Sequence, residues 1–237
     1  PTTRTCATQA DRRGEPVEPS IPGPITSVTA GRTVGDVGER AVLAELIGAV
    51  EQPPDAGDIT VVGTGDDAAV FAATGETAIS TDTIVEGRHF RLDLSSPRQI
   101  GARSVVQSAA DVAAMGARVI GVVVSIAVPP STAVEVVTEI NQGIAAAARD
   151  LGAAVLGGDL VAARQIVITV TALGAMDGLR PVLIGGARPG DTLAVSGPLG
   201  ASAAGLAVLL SGRPELRERF AEFVSAFRVP HPDLAQG

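Results

Sequence analysis

Apolar residues recur along this chain with two periods, and the places where the period changes mark its elements. Val42, Leu43, Leu46, Ile47 and Val50 share one face of a 3.6-residue repeat, which predicts a helix. Asp36 followed by Glu39 predicts a capping box at its start, and Pro53-Pro54 predicts its end. Residues 59–62 predict a short strand, and Gly63-Thr64-Gly65-Asp66-Asp67 a turn. Residues 68–72 and 77–80 predict a hairpin around Thr74-Gly75. A helical pattern over 97–115 ends at Gly116, a natural C′ residue. The β-branched run 119–128 predicts a buried strand, broken by Pro129-Pro130. Thr132 and Glu135 predict the cap of a further helix, with Val134, Val137, Ile144, Ala148 and Leu151 inward. Residues 153–156 and 165–173 predict two more strands.

Strands and helices alternate, with a hairpin among them. The expected class is α/β, or α+β, with a mixed sheet flanked by helices. Residues 1–33, rich in Thr, Arg, Pro and Gly, lack an apolar period and are expected to form a disordered tail. Residues 34–176 are expected to form the main domain. From 177 a second α/β unit is expected, with a strand at 191–195, a small-residue helix at 201–210 and a charged helix at about 215–227. It has too few elements to close and is expected to be an incomplete C-terminal domain.

Composition narrows the function. A net charge of −8 and 2% aromatic residues disfavour a nucleic-acid surface, which needs positive charge and stacking platforms. They also disfavour a basic membrane-binding face, and no apolar run reaches the ~20 residues of a membrane span. A cytoplasmic protein is expected. The single Cys6 excludes an intramolecular disulfide and a cysteine-based zinc site.

The candidate chemistry lies in four short strings that share small residues and aspartate. They are GDDAA with Asp66 and Asp67, STDT with Ser80, Thr81 and Asp82, SAAD with Ser108 and Asp111, and GGDL with Gly158 and Asp159. Asp82 and Asp159 are expected at strand ends, and Asp111 on a helix with Ser104 and Ser108 on the same face. Convergent carboxylates need counter-charge, since two like charges ~4 Å apart repel by ~4 kcal/mol at an effective dielectric of ~20. Hard oxygen donors without Cys select Mg²⁺, which usually shares its coordination sphere with phosphates. That points to ATP, and the glycines would let backbone N–H groups approach phosphate oxygens.

At this point the motifs resemble those of the thiamine-monophosphate kinase family. GDDAAV, STDTIVEGRHF, AADVAAMGA, GGDL, ITVTALG, GARPGD and SGPLGASAAGLAVL follow the family's order, from about Gly35 to Gly237. The family lies in a superfamily of ATP-using enzymes with aminoimidazole ribonucleotide synthetase and selenophosphate synthetase. The resemblance implies a homodimer formed through the N-terminal sheet, with ATP and several Mg²⁺ nearby, and thiamine monophosphate as acceptor. It implies metal positions at Asp67, Ser80, Thr81, Asp82, Asp111 and Asp159, an acceptor contact at His89, and nucleotide contacts at Gly158 and Asp159.

The chain departs from the family pattern in three places. Ser108 stands where Asn is usual, and Ile184 where an ATP-contacting Arg is usual; an apolar side chain cannot replace a guanidinium. The chain also stops before the family's D-x-S-D-G motif. Two alternatives therefore remain: another ATP-using enzyme of the superfamily, or a non-catalytic nucleotide-binding or dimerisation fragment. Selenophosphate synthetase is disfavoured, because Cys6 lies in the tail rather than in a Gly-rich loop.

Overall fold

A computed structural model describes residues 31–50, 52, 60–64 and 68–236. The expected tail therefore falls almost wholly outside the described residues, as do Asp66 and Asp67.

The first described helix is capped three residues earlier than expected. The Thr33 hydroxyl accepts from the Asp36 N–H (3.2 Å), and the Asp36 carboxylate accepts from the Thr33 N–H (3.1 Å), capping α1 (Val34–Val37). Gly38, at φ 87°, breaks the chain into α2 (Glu39–Gly48). Glu39 therefore opens a second helix and does not close a box with Asp36.

β1 (Thr60–Val62) pairs antiparallel with β2 (Val70–Phe71). The expected hairpin between residues 68–72 and 77–80 does not form. β3 (Thr77–Val85) instead runs nine residues along β6 (Val167–Ala175), antiparallel and in continuous register from Thr77–Ala175 to Val85–Val167. A nine-residue ladder outweighs a local turn with two residues on one arm. The main sheet has the order β3-β6-β4-β5, with β4 (Arg118–Val128) antiparallel to β6 and parallel to β5 (Ala154–Ala162). It is a mixed sheet in an α/β fold.

Helices α3 (Pro97–Ala114) and α4 (Val134–Asp150) cover one face of this sheet. Ser96 and Gln99 form a capping box at the start of α3, Pro97 opens it, and Gly116 follows its Met115 C-cap at φ 83°. α4 starts without a side-chain cap: its N-cap is Ala133, so the Thr132–Glu135 cap is not made. Instead the Thr132 carbonyl accepts from the Val34 N–H (2.8 Å). Val137, Ile140, Ile144 and Ala148 of α4, with Val105 and Val112 of α3, meet Val122, Ile168 and Val170 of the sheet in one core. Each such buried aliphatic side chain contributes about 1.5–3 kcal/mol. α3 and α4 cross closely: a Cβ on Gly101 would strike the Ile140 carbonyl, and one on Gly143 the Arg98 carbonyl.

Beyond β6, residues 177–200 are exposed and carry no regular element, so the strand expected at 191–195 is absent. A strand exists by pairing, and no described strand offers this segment a ladder. α5 (Ala201–Leu210) follows. The expected charged helix is split at Phe220 into α6 (Pro214–Arg219) and α7 (Ala221–Arg228). Leu209 of α5 and Val224 of α7 bury together with Leu94, which precedes α3.

Candidate functional site: an acidic strand edge and a cleft

β3 carries polar residues on both faces, as an edge strand can. Ile84 on one face is buried in the core, so Ser80 and Asp82, four and two residues earlier, face the helices. The Ser80 hydroxyl donates to an Asp111 carboxylate oxygen (3.0 Å), tying α3 to the strand. Ser108, one turn before Asp111, is fully buried and donates to the Val170 carbonyl (3.0 Å). Val170 is also the ladder partner of Asp82. Ser80, Asp82 and Asp111 therefore lie together along one edge. Asp82 is not at a strand end: β3 continues to Val85, because Thr83 and Val85 pair as regularly as Ile79 does.

Thr81 faces the other way. Its hydroxyl donates to the Val170 carbonyl (3.4 Å) and accepts from the Thr171 hydroxyl (3.0 Å). Thr83 and Thr169 pair similarly (2.9 Å). The row Thr83–Thr169–Ser125–Asp159 crosses all four strands on this open face. Asp159, like Asp82, lies within a strand, because β5 continues past the two glycines through Leu160 and Val161 to Ala162. One Asp159 carboxylate oxygen accepts from the Leu160 N–H (2.9 Å). Gly158 has no room for a side chain, since a Cβ would strike the Val124 carbonyl.

Asp159 and Gly158 line a cleft of about 630 Å³ between α2, the β1–β2 segment and strands β4 to β6. Thr64 and Ala68, which flank residues 65–67 in the sequence, line the same cleft. The reading of the sequence missed Ser125, Thr169 and Thr171 in this cleft. The signal was present in ITVTALG, where two threonines spaced by two fall on one strand face.

The structure thus brings Ser80, Asp82 and Asp111 together but does not bring Asp159 to them. β3 and β5 are opposite edges, three strand spacings or about 14 Å apart. Their aspartates also face opposite sides, so Asp82 and Asp159 cannot share a cation within one chain. Among the described residues no ion pair engages Asp82, Asp111 or Asp159. Among the described residues these carboxylates lack protein counter-charge, and carboxylate oxygens with neighbouring hydroxyls suit a hard cation. No three Asp, Glu, His or Cys side chains among the described residues cluster closely enough to cage a metal alone. Such a cation would take hydroxyl, water or phosphate oxygens as well.

His89 follows β3 in a tight segment. Its Nδ1 accepts from the Val85 N–H (3.0 Å), so the neutral ring carries its proton on Nε2 and presents it outward. Its own N–H bonds to the Val85 carbonyl (2.9 Å), while Phe90 beside it is buried. Ile184 is fully exposed.

Comparison with known proteins places this arrangement. Residues 65–176 match the AIR synthase related protein, N-terminal domain, so this segment is similar to that family. Curated relatives of the chain include thiamine-monophosphate kinases. The one from Mycobacterium tuberculosis is 42% identical over 210 residues, covering 88% of this chain and 61% of the relative. The one from Corynebacterium glutamicum is 40% identical over 209 residues, covering 86% and 60%. The chain thus spans about three fifths of the length of the curated relatives it matches. Among solved structures, thiamine monophosphate kinase from Aquifex aeolicus superposes with a TM-score of 0.63 at 28% identity. The match covers 69% of this chain and 55% of that one. AaThiL complexed with AMPPCP and TMP gives 0.62 at 28% identity, over 67% and 50%. No helix among the described residues is long and apolar enough to cross a membrane.

Proposed function

We propose that this chain is the nucleotide- and metal-binding part of a kinase that converts thiamine monophosphate to thiamine diphosphate with ATP. The observation that carries the reading is the 42% identity to a thiamine-monophosphate kinase across 88% of the chain. The related complex with AMPPCP and TMP supports a nucleotide and a thiamine phosphate as the two ligands.

In this reading a terminal oxygen of the thiamine phosphate attacks the γ-phosphorus of ATP in line. A new P–O bond forms, the bond to the β–γ bridging oxygen breaks, and ADP leaves. Both reactants are anionic, so alignment and charge neutralisation are the main tasks, and no side-chain nucleophile is needed. Bound Mg²⁺ would supply the electrostatic clamp on the phosphates. Ser80, Asp82 and Asp111 would hold one ion at the β3 edge, and Asp159, together with Asp67, would hold a separate ion. Thr81, whose hydroxyl is already engaged with Val170 and Thr171, would take part through its main chain. Gly158, which lacks a Cβ, would let phosphate approach the backbone beside Asp159. The outward Nε2–H of His89 would donate to the acceptor phosphate. The exposed Ile79 and Val123 on the open sheet face support homodimerisation through that face.

The test is calorimetric titration with Mg²⁺ and ATP, followed by chromatography of thiamine products after incubation with thiamine monophosphate. The kinase reading predicts saturable binding and thiamine diphosphate. Binding without product would leave a nucleotide-binding module, and absence of both would overturn the proposal.

A further inference from the structure

The segment from Glu86 to Ser96 joins β3 to α3 and carries His89. Its first half is held by the main domain. Glu86 N–H donates to the Ile166 carbonyl (2.9 Å), Gly87 N–H to the Phe90 carbonyl (2.8 Å), and Arg88 N–H to the Val85 carbonyl (3.1 Å). Its second half is held from the other end of the chain. Leu94 is buried against Leu209 and Val224 of the C-terminal helices. Arg228, the last residue of α7, donates from Nε to the Leu94 carbonyl (2.7 Å). Arg91 and Asp93 form a two-pronged ion pair (2.9 and 2.7 Å) beside this contact. The Asp93 carboxyl is held below the usual range by Arg91, with a smaller contribution from Arg217 of α6. Arg103 of α3 stacks on Phe227, 5.5 Å from the ring centre.

Helices more than 110 residues further along the chain thus make a hydrogen bond, an apolar contact and a charge interaction on two neighbouring residues, Asp93 and Leu94. Nothing in the β3 ladder requires this. The Leu94 carbonyl lies outside any helix or strand, so without the Arg228 donor it would have no partner among the described residues.

We propose that Arg228 is a positioning residue: by holding the Leu94 carbonyl it docks the C-terminal helices on the 86–96 segment and so braces the loop in which the Val85 N–H orients the His89 ring. The consequence for turnover rests on the reading of His89 as an acceptor contact; the mechanical coupling does not. The geometry therefore makes the C-terminal helices part of acceptor recognition, although none of their side chains reaches the β3 edge or the cleft.

The test is hydrogen–deuterium exchange on the full chain, comparing wild type with Arg228→Met, which keeps the aliphatic stem, and Arg228→Lys, which keeps a donor. Arg228→Met is expected to speed exchange of the Arg88, His89, Leu94 and Ser95 amides at least tenfold while β4 and α4 stay as in wild type. Arg228→Lys should recover most of the protection. Unchanged protection at these amides, or a loss spread equally over β4 and α4, overturns the proposal. With active protein, Arg228→Met should raise KM for thiamine monophosphate about tenfold and leave KM for ATP within twofold. An equal rise for both substrates overturns the positioning role. If wild type gives no turnover, the kinase reading fails, and the exchange arm still decides the coupling.

Discussion

Replacing Asp82 by Asn should make the protein more stable without metal and less responsive to metal. The two effects have opposite signs and one cause. Ser80 and Asp82 are two residues apart on one strand face, about 7 Å along the strand, and Ser80 is bonded to Asp111. The Asp82 and Asp111 carboxylates are therefore about 7 Å apart, with no basic partner among the described residues. Their repulsion is about 0.6 kcal/mol at the dielectric of water and about 2.4 kcal/mol at an effective dielectric of 20. Asp111 is exposed, so the lower half of that range applies. Asp82→Asn should then add up to about 1 kcal/mol at low ionic strength, or about 2–4 °C in Tm for a chain of this size. With Mg²⁺ at a hundred times its Kd, wild type should gain about 2.7 kcal/mol, and the variant should lose most of that gain. The assay is calorimetric melting at low salt, with and without Mg²⁺. A variant that melts below wild type in the absence of metal, or that shows an equal Mg²⁺ increment, would refute the reasoning.

Three other outcomes follow from the same contacts. Gly143→Ala drives a methyl into the Arg98 carbonyl where α3 crosses α4, and should cost about 1–3 kcal/mol in urea unfolding, the usual range for overpacking. Ser108→Ala removes the buried hydrogen bond to Val170 and should cost about 1 kcal/mol in the same assay. Arg91 depresses the Asp93 pKa, so this pair stabilises the 86–96 segment above the ordinary carboxylate value near ~4, and that stability is lost as pH falls through the depressed value. Amide NMR signals of Arg91 and Leu94 should shift only below about pH 4, and a midpoint above that value would contradict the pairing.

Much of the fold was legible because long elements carry a strong period. α3, β4 and α4 lie within two residues of expectation, since each is bounded by Pro or Gly and buries a regular face. The polar strands were harder. In β3, Ser80 and Asp82 face the helices while Thr81 and Thr83 face the open side, so the sequence reads as uninterrupted polarity and looks like a loop. β5 hides its continuation behind Gly157 and Gly158. The β3–β6 pairing joins residues nearly a hundred apart, whereas the local Thr74-Gly75 turn advertised a hairpin that does not form. Type and spacing singled out the aspartates as candidates, but not the sheet faces they occupy. Which side Asp82 or Asp159 takes depends on register, and register is set by partner strands.

The central claim is that the Ser80–Asp82–Asp111 edge holds a hard cation that meets nucleotide phosphates. Anomalous diffraction from crystals grown with Mn²⁺ and a non-hydrolysable ATP analogue tests it most directly. The account predicts an anomalous peak at bonding distance from both Asp82 and Asp111, with phosphate oxygens completing the coordination. Nucleotide bound with Mn²⁺ elsewhere, and neither carboxylate touching metal, would contradict it.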